Sequence, residues 1–243
     1  MPRALRPRHG KPAHGTPRRS APLPRDVVDD VRQTARPQQA QVALGHLERA
    51  VELLGRGDPR QAVKEARKAK DAAPRSGAVR EVLALAHYGA EEWRDALREM
   101  QAYRRMTGRQ DENHIVADAY RALGSPEKAV PLAEQTLRAP VSGEAKAEAV
   151  IVGASALADL GRYDEGLALL RRLHNRADIG RDQDLRVWYV TGDLYARSGR
   201  REEAAAEFRR ITRHDPTAFD AAERLAGLEE PGDASRQASG TRR

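Results

Sequence analysis

The 243-residue chain has no cysteine. That excludes disulfides, thiolate metal sites and a cysteine nucleophile. Aromatic side chains are scarce, at 4 %. The apolar mass is therefore mostly Ala, Leu and Val, which favours helices over sheets. Long hydrophobic runs are missing too. The longest small-residue stretch, Ala149 to Ala158, is about half the length of a membrane-spanning helix. The first residues lack the apolar core of a secretory signal and are punctuated by Pro2, Pro7, Pro12, Pro17, Pro22 and Pro24. The expectation is a soluble, cytoplasmic protein without membrane association. Lysine is rare, with arginine dominating the 43 basic residues, a bias of GC-rich bacterial genomes. Catalytic signatures are absent as well. There is no Gly-x-x-x-x-Gly-Lys loop, no His-Glu-x-x-His, no Gly-x-Ser-x-Gly and no Rossmann glycine run. Gly153-Ala154-Ser155-Ala156 lacks the second glycine and falls within a helical pattern. The seven histidines are scattered, with His174 and His214 placed near helix ends, where they complement the helix dipole. No enzyme, metal or cofactor is expected.

What charge there is lies unevenly. Residues 1–25 contain Arg3, Arg6, Arg8, Lys11, Arg18, Arg19 and Arg25 and no acid, so the net charge of +7 belongs to this segment and the remainder is balanced. Its composition predicts a disordered tail. Residues 26–37 read as a short helix with Val27, Val28 and Val31 on one face, ended by Pro37, and then a linker. Residues 38–229 are helical in pattern throughout, and residues 230–243 read as a second disordered tail.

The middle of the chain is periodic. Gly57 precedes Ala62, Gly124 precedes Ala129, Gly161 precedes Gly166 and Gly199 precedes Ala204, each by five residues. Ala96 belongs to the same series, with Glu91 where the glycine would stand. The unit repeats every 33–38 residues. Each unit predicts two antiparallel helices joined by a tight turn, with glycine free to adopt positive φ at the end of the first helix. Asp58 and Ser125 are placed to cap the second helices, each followed by a proline suited to the first helical turn. In the first unit, Ala43, Leu44, Leu47, Ala50, Val51 and Leu54 form one apolar stripe, which faces either the neighbouring helices or the groove. The stretch Ala218 to Leu228 predicts a terminal helix with Phe219, Ala222, Leu225 and Ala226 on its apolar side.

The fifth unit carries Trp188, Gly192, Tyr195, Ala204, Phe208 and Pro216 at the spacings of the tetratricopeptide repeat, with Thr191 in place of the usual Leu. The earlier units are degenerate but in phase, so residues 38–216 resemble about five such repeats. The resemblance implies an all-α fold: a solenoid of antiparallel helix pairs in a right-handed superhelix, closed by a C-terminal capping helix. It also implies a concave groove lined by the first helix of each pair. The groove positions carried over are Glu81, Leu85 and Tyr88 in the second unit, and Asp111, His114, Asp118 and Arg121 in the third. The fourth gives Glu148, Ile151 and Ser155, and the fifth gives Arg186, Tyr189, Asp193 and Arg197. The Lys/Asn carboxylate clamp of some members is replaced by Leu47 and Val51, which argues against recognition of chaperone tails.

Two functions of different class follow. One is a non-enzymatic scaffold or adaptor that binds a peptide or protein segment in the groove. The other is nucleic-acid or ribosome association, with Arg3, Arg6, Arg8, Lys11, Arg18, Arg19 and Arg25 contacting phosphates. A third arrangement joins them, with the basic tail folding back onto the acidic middle of the groove.

Overall fold

The computed structural model describes residues 22–173 and 182–229. The tail cations Arg3 to Arg19, His174 and residues 230–243 lie outside the described residues. Every described element is helical. The described residues fall into two compact units, unit 1 up to Val141 and unit 2 from Ser142.

Unit 1 begins with α1 (Arg25–Thr34), followed by three helix pairs. These are α2 (Pro37–Gly55) with α3 (Pro59–Ala72), α4 (Gly77–Gly89) with α5 (Trp93–Thr107), and α6 (Asn113–Ala122) with α7 (Val130–Arg138). Pro37 opens α2 at its first position, where the missing N–H costs nothing. The apolar stripe of α2 turns inward. Ala43, Leu44 and Leu47 pack with Ala69, Ala73 and Val79, and Val31 of α1 closes the cluster together with Val27 and Val28. Fully burying Val31 contributes about 2 kcal/mol. Asp30 anchors α1 by accepting from the Ala78 N–H at 3.1 Å and from the Ser76 hydroxyl at the start of α4. A carboxylate there complements the helix dipole.

The turns inside the helix pairs repeat one geometry. Gly57, Gly124, Gly161 and Gly199 all have φ between 74° and 81°. Beyond each, a backbone N–H reaches five residues back, as from Asp58 to Leu53 O at 2.9 Å. In the second pair, Glu91 takes φ 64°, with the Glu92 N–H bonded to His87 O. A left-handed L-residue costs roughly 1–2 kcal/mol. Replacing it with glycine loosens the unfolded chain by about 0.5–1 kcal/mol. Glu91→Gly is therefore expected to stabilise the protein by about 0.5–1 kcal/mol, read as a higher thermal midpoint.

Asp58 caps α3 as expected, accepting from the Gln61 N–H at 3.2 Å. Ser125 differs. Its side chain makes no cap bond, and the chain runs through a 3-10 turn, Pro126–Lys128, before α7 starts at Val130. Pro131 is the cause. A helix started at Pro126 would need the N–H that Pro131 lacks, so the chain tightens and restarts with Pro131 in the first turn.

One buried charge ties three helices of unit 1 together. The Glu99 side chain on α5 is 1 % exposed and accepts from Lys70 Nζ on α3 at 2.7 Å and from Arg80 on α4 at 2.6 Å. Burial alone pushes its carboxyl up, but these two hydrogen bonds outweigh it and hold Glu99 below the usual carboxylate range.

Unit 2 contains α8 (Gly143–Asp159) with α9 (Tyr163–Arg171), α10 (Asp182–Arg197) with α11 (Arg201–His214), and α12 (Ala221–Glu229). Ser142 caps α8 through the Ala145 N–H at 3.1 Å. Small residues let these helices approach closely. A Cβ on Gly166 would lie 2.6 Å from Leu194 Cδ2 and 3.0 Å from the Ala154 carbonyl. Leu194 is fully buried, and the Ala154 carbonyl is backbone that yields less readily than a side chain. Overpacking costs up to about 3 kcal/mol, against about 1 kcal/mol of helix propensity gained. Gly166→Ala is expected to lose about 1–2 kcal/mol, visible as a lower denaturant midpoint.

The terminal helix corrects the reading of Ala218 to Leu228. Phe219 has φ 57°, so it cannot belong to the helix, which starts at Ala221. The later start rotates the buried side. Ala221, Leu225 and Leu228 pack against Trp188, Phe208 and Ile211, while Ala222 and Ala226 are exposed. His214, the last residue of α11, sets its ring 5.2 Å from that of Trp188.

Candidate functional site

The first helices of the pairs hold nearly all the residues carried over as groove positions, in one set per unit. In unit 1, Glu81, Leu85 and Tyr88 lie one turn apart along α4. His114, Asp118 and Arg121 lie on α6. The Tyr88 hydroxyl donates to Asp118 Oδ2 at 2.7 Å, and Arg121 donates to Asp118 Oδ1 at 2.7 Å. Asp118 is thus held by two donors, one of them from the neighbouring first helix. Leu85 packs on the Ala84, Met100, Tyr103 and Val116 core.

Asp111 departs from the expectation. It precedes α6 instead of standing on it, because that helix begins only at Asn113. There it pairs with Arg109, accepts from the Tyr103 hydroxyl at 3.4 Å, and offers its carbonyl to His114 Nδ1 at 3.2 Å.

Beside Glu81 stands Glu112, which the sequence reading did not single out. Burial raises Glu81 to about 7, helped by the nearby charges of Glu112, Asp111 and Asp26 and opposed by Arg109. Burial likewise raises Glu112 to about 7, with Asp111 adding to it. Asp26 comes from α1, so a segment outside the repeats contributes to this face. Among the described residues, Glu81 finds neither a hydrogen bond nor an ion pair. Two adjacent acids just ahead of a helix pattern were the available signal for Glu112; that Glu81 and Asp26 converge on them is a tertiary fact.

In unit 2 the carried-over positions are largely occupied by partners from the same chain. Glu148 on α8 pairs with Arg186 on α10 at 2.5 Å. Ser155 donates to the Ile151 carbonyl at 2.9 Å, inside its own helix, and Ile151 is half-buried. Arg197 donates to the Ala158 carbonyl at 2.8 Å and its guanidinium lies over the Tyr163 ring. Tyr189 and Asp193 meet the terminal segment. The Tyr189 hydroxyl donates to Asp220 at 2.7 Å, and Arg224 of α12 donates to buried Asp193 at 2.8 Å. Burial and the bond to Asp220 push the Tyr189 phenol up to about 12. The family's groove positions at this end are therefore sealed by the chain's own last helix. The Leu47 position in the first pair is also closed, being fully buried beneath α1.

Of the residues suited to a metal, His87, Glu92 and Asp95 offer ligand atoms within 4.8 Å of one another. All three are engaged: Glu92 meets His87 Nδ1 at 2.5 Å, and Arg98 meets Asp95 at 2.6 Å. Arg25, the one described member of the tail's phosphate-contact candidates, is exposed at the start of α1. Among the described residues no helix is long and apolar enough to cross a membrane.

Repeated helix pairs, left-handed turns at one position of each, and small residues at the close approaches meet in a sequence comparison. The family model described as Tetratrico peptide repeat matches residues 113–215. Residues 113–215 thus carry the tetratricopeptide-repeat signature. Solved structures agree on the fold. The protein is similar to TTC0263, a thermophilic TPR protein of Thermus thermophilus, with a TM-score of 0.62 and 20 % identity over 76 % of this chain and 98 % of that one. It is also similar to YrrB, described as a TPR protein with an unusual peptide-binding site, with a TM-score of 0.52 and 18 % identity over 74 % of this chain and 90 % of that one. No curated protein matches the sequence. The tetratricopeptide-repeat architecture supports a protein-interaction scaffold in general.

Proposed function

We propose that this tetratricopeptide-repeat protein is a non-enzymatic scaffold that binds a peptide or protein segment on the face formed by α4 and α6 of unit 1. The observation that carries this reading is Glu81, a half-buried carboxylate without a hydrogen-bonding partner among the described residues, set on a face that also offers Leu85 and Tyr88. A desolvated acid left without a donor is a cost to the folded protein, and a ligand donor removes that cost. The counterpart face of unit 2 is largely taken up by its own pairs and by α12, which favours unit 1 as the receptive surface. The likeness to a repeat protein described as having a peptide-binding site supports the reading. Function on such folds resides in the particular residues of the face and not in the fold itself.

The test is affinity capture with the full chain and with Glu81→Lys. The substitution leaves the Tyr88–Asp118–Arg121 bonds in place and sets a cation beside Asp111 and Glu112, so the fold survives by circular dichroism. A defined set of proteins is expected to disappear from the captured material. An unchanged set would overturn the reading.

A further inference from the structure

The face of α4 and α6 is unbalanced in charge. Asp26, Glu81, Asp111, Glu112 and Asp118 converge on it, against Arg109, Arg121 and His114, whose Nε2 stands 3.7 Å from Glu112. The described chain enters at Pro22, Leu23 already packs on the first core cluster, and Asp26 is close enough to act on Glu81. The first described residues therefore stand at the edge of this face, and residues 1–21 precede them in the sequence. Those preceding residues carry Arg3, Arg6, Arg8, Lys11, Arg18 and Arg19 and no acid. We propose that the acidic face of α4 and α6 is occupied, in the isolated protein, by the chain's own N-terminal segment 1–21, held by its arginines and displaced when a partner binds.

The proposal rests on the binding face argued above and adds its resident occupant. Reach is not limiting, since a chain covers up to about 3.3 Å per residue and 21 residues exceed the length of any helix in unit 1. Tethering also works in favour. A segment linked next to its site is present there at an effective concentration of the order of mM, enough for a weak multi-arginine contact to hold. Arginine suits the role, because its five N–H donors can serve two carboxylates at once and stay charged at any working pH. The partner that displaces it is then itself cationic, an arginine- or lysine-rich segment, since it must satisfy the same carboxylates.

The absence of cysteine provides a clean test. A nitroxide is attached to the single cysteine of Ala13→Cys in the full chain, and amide line broadening is read by NMR. At about 0.1 M salt, where charges act over roughly 10 Å, broadening is expected at Glu81, Glu112 and Asp118. It should fade at about 1 M, where that range is roughly 3 Å. It should also be lost when the six tail cations are changed to Gln, a variant that leaves every described residue untouched. Mixing labelled chains with isotope-enriched unlabelled ones separates contact within a chain from contact between copies. Broadening at other helices, broadening only in the mixed sample, or broadening indifferent to the Gln changes overturns the proposal. The groove reading stands apart from this result: it fails only if Glu81→Lys leaves partner capture intact.

Discussion

Glu99→Gln is expected to lower stability by about 3 kcal/mol, the largest effect of any single substitution considered for this protein. Glu99 is 1 % exposed and receives Lys70 from one helix and Arg80 from another. Removing one member of a buried ion cluster typically costs about 3–5 kcal/mol, because the surviving charges lose their counter-charge. Lys70 and Arg80 are themselves 28 % and 20 % exposed, so water recovers part of the loss and the lower end of that range applies. For a chain of this size the thermal midpoint should fall by roughly 6–12 °C. The pH dependence provides a second check. The folded state holds the Glu99 carboxyl below its ordinary value, so its contribution is present above that value and fades as pH falls through the carboxylate range. Wild type and Glu99→Gln should therefore converge at acid pH and differ most near neutrality. A loss below about 1 kcal/mol at neutral pH would mean the cluster is held by water rather than by its members.

The second large effect runs in the opposite direction. Glu81 and Glu112 are raised from 4.5 to about 7. A carboxyl raised in the folded state binds its proton more tightly there than in the unfolded chain. Folding is therefore favoured at low pH, and that advantage disappears as pH rises through the folded value near 7. The protein should gain stability on going from about pH 8 to about pH 5, contrary to the trend set by Glu99, whose effect begins lower. A shift of this size corresponds to about 3 kcal/mol for one independent group. The two acids share their mutual repulsion, so Glu81→Gln alone is expected to recover about 2 kcal/mol at about pH 8 and almost nothing at about pH 5. Burial is the larger cause for both groups, so most of the difference should persist in high salt. Equal denaturant midpoints for wild type and Glu81→Gln across this pH range would show that neither acid is desolvated as the geometry requires.

Much of the architecture is local chemistry, and so it was legible. Positive φ favours glycine, and Gly57, Gly124, Gly161 and Gly199 mark four turns in the sequence; Glu91 stands in phase with them and shares the geometry. Asp58 before Pro59 announced a cap and made one. Where competition between neighbours decides, the reading failed. Ser125-Pro126 looks like Asp58-Pro59, but Pro131 five residues on forbids the continuous helix. The terminal helix starts later than its pattern suggests, since the left-handed Phe219 delays it, and of the expected apolar side Leu225 packs inward while Ala222 and Ala226 are exposed. The candidate site divides the same way. Family spacing identifies which positions lie on the first helices. It carries no information on what already fills them, so the closure of Tyr189 and Asp193 by Asp220 and Arg224, and the approach of Asp26 to Glu81, emerge only from the packing.

Stacked helix pairs present an apolar side at each end of a stack, so nothing intrinsic tells such an array when to stop. Here α1 lies on the first pair and buries Leu44 and Leu47, while α12 lies on the last and buries Trp188 and Phe208. Each of these two helices covers an apolar side that its neighbouring pair would otherwise leave open. Lengthening the array by design is therefore expected to succeed at internal pairs, with α1 and α12 kept, and stripping either helix should lower solubility by baring that apolar side.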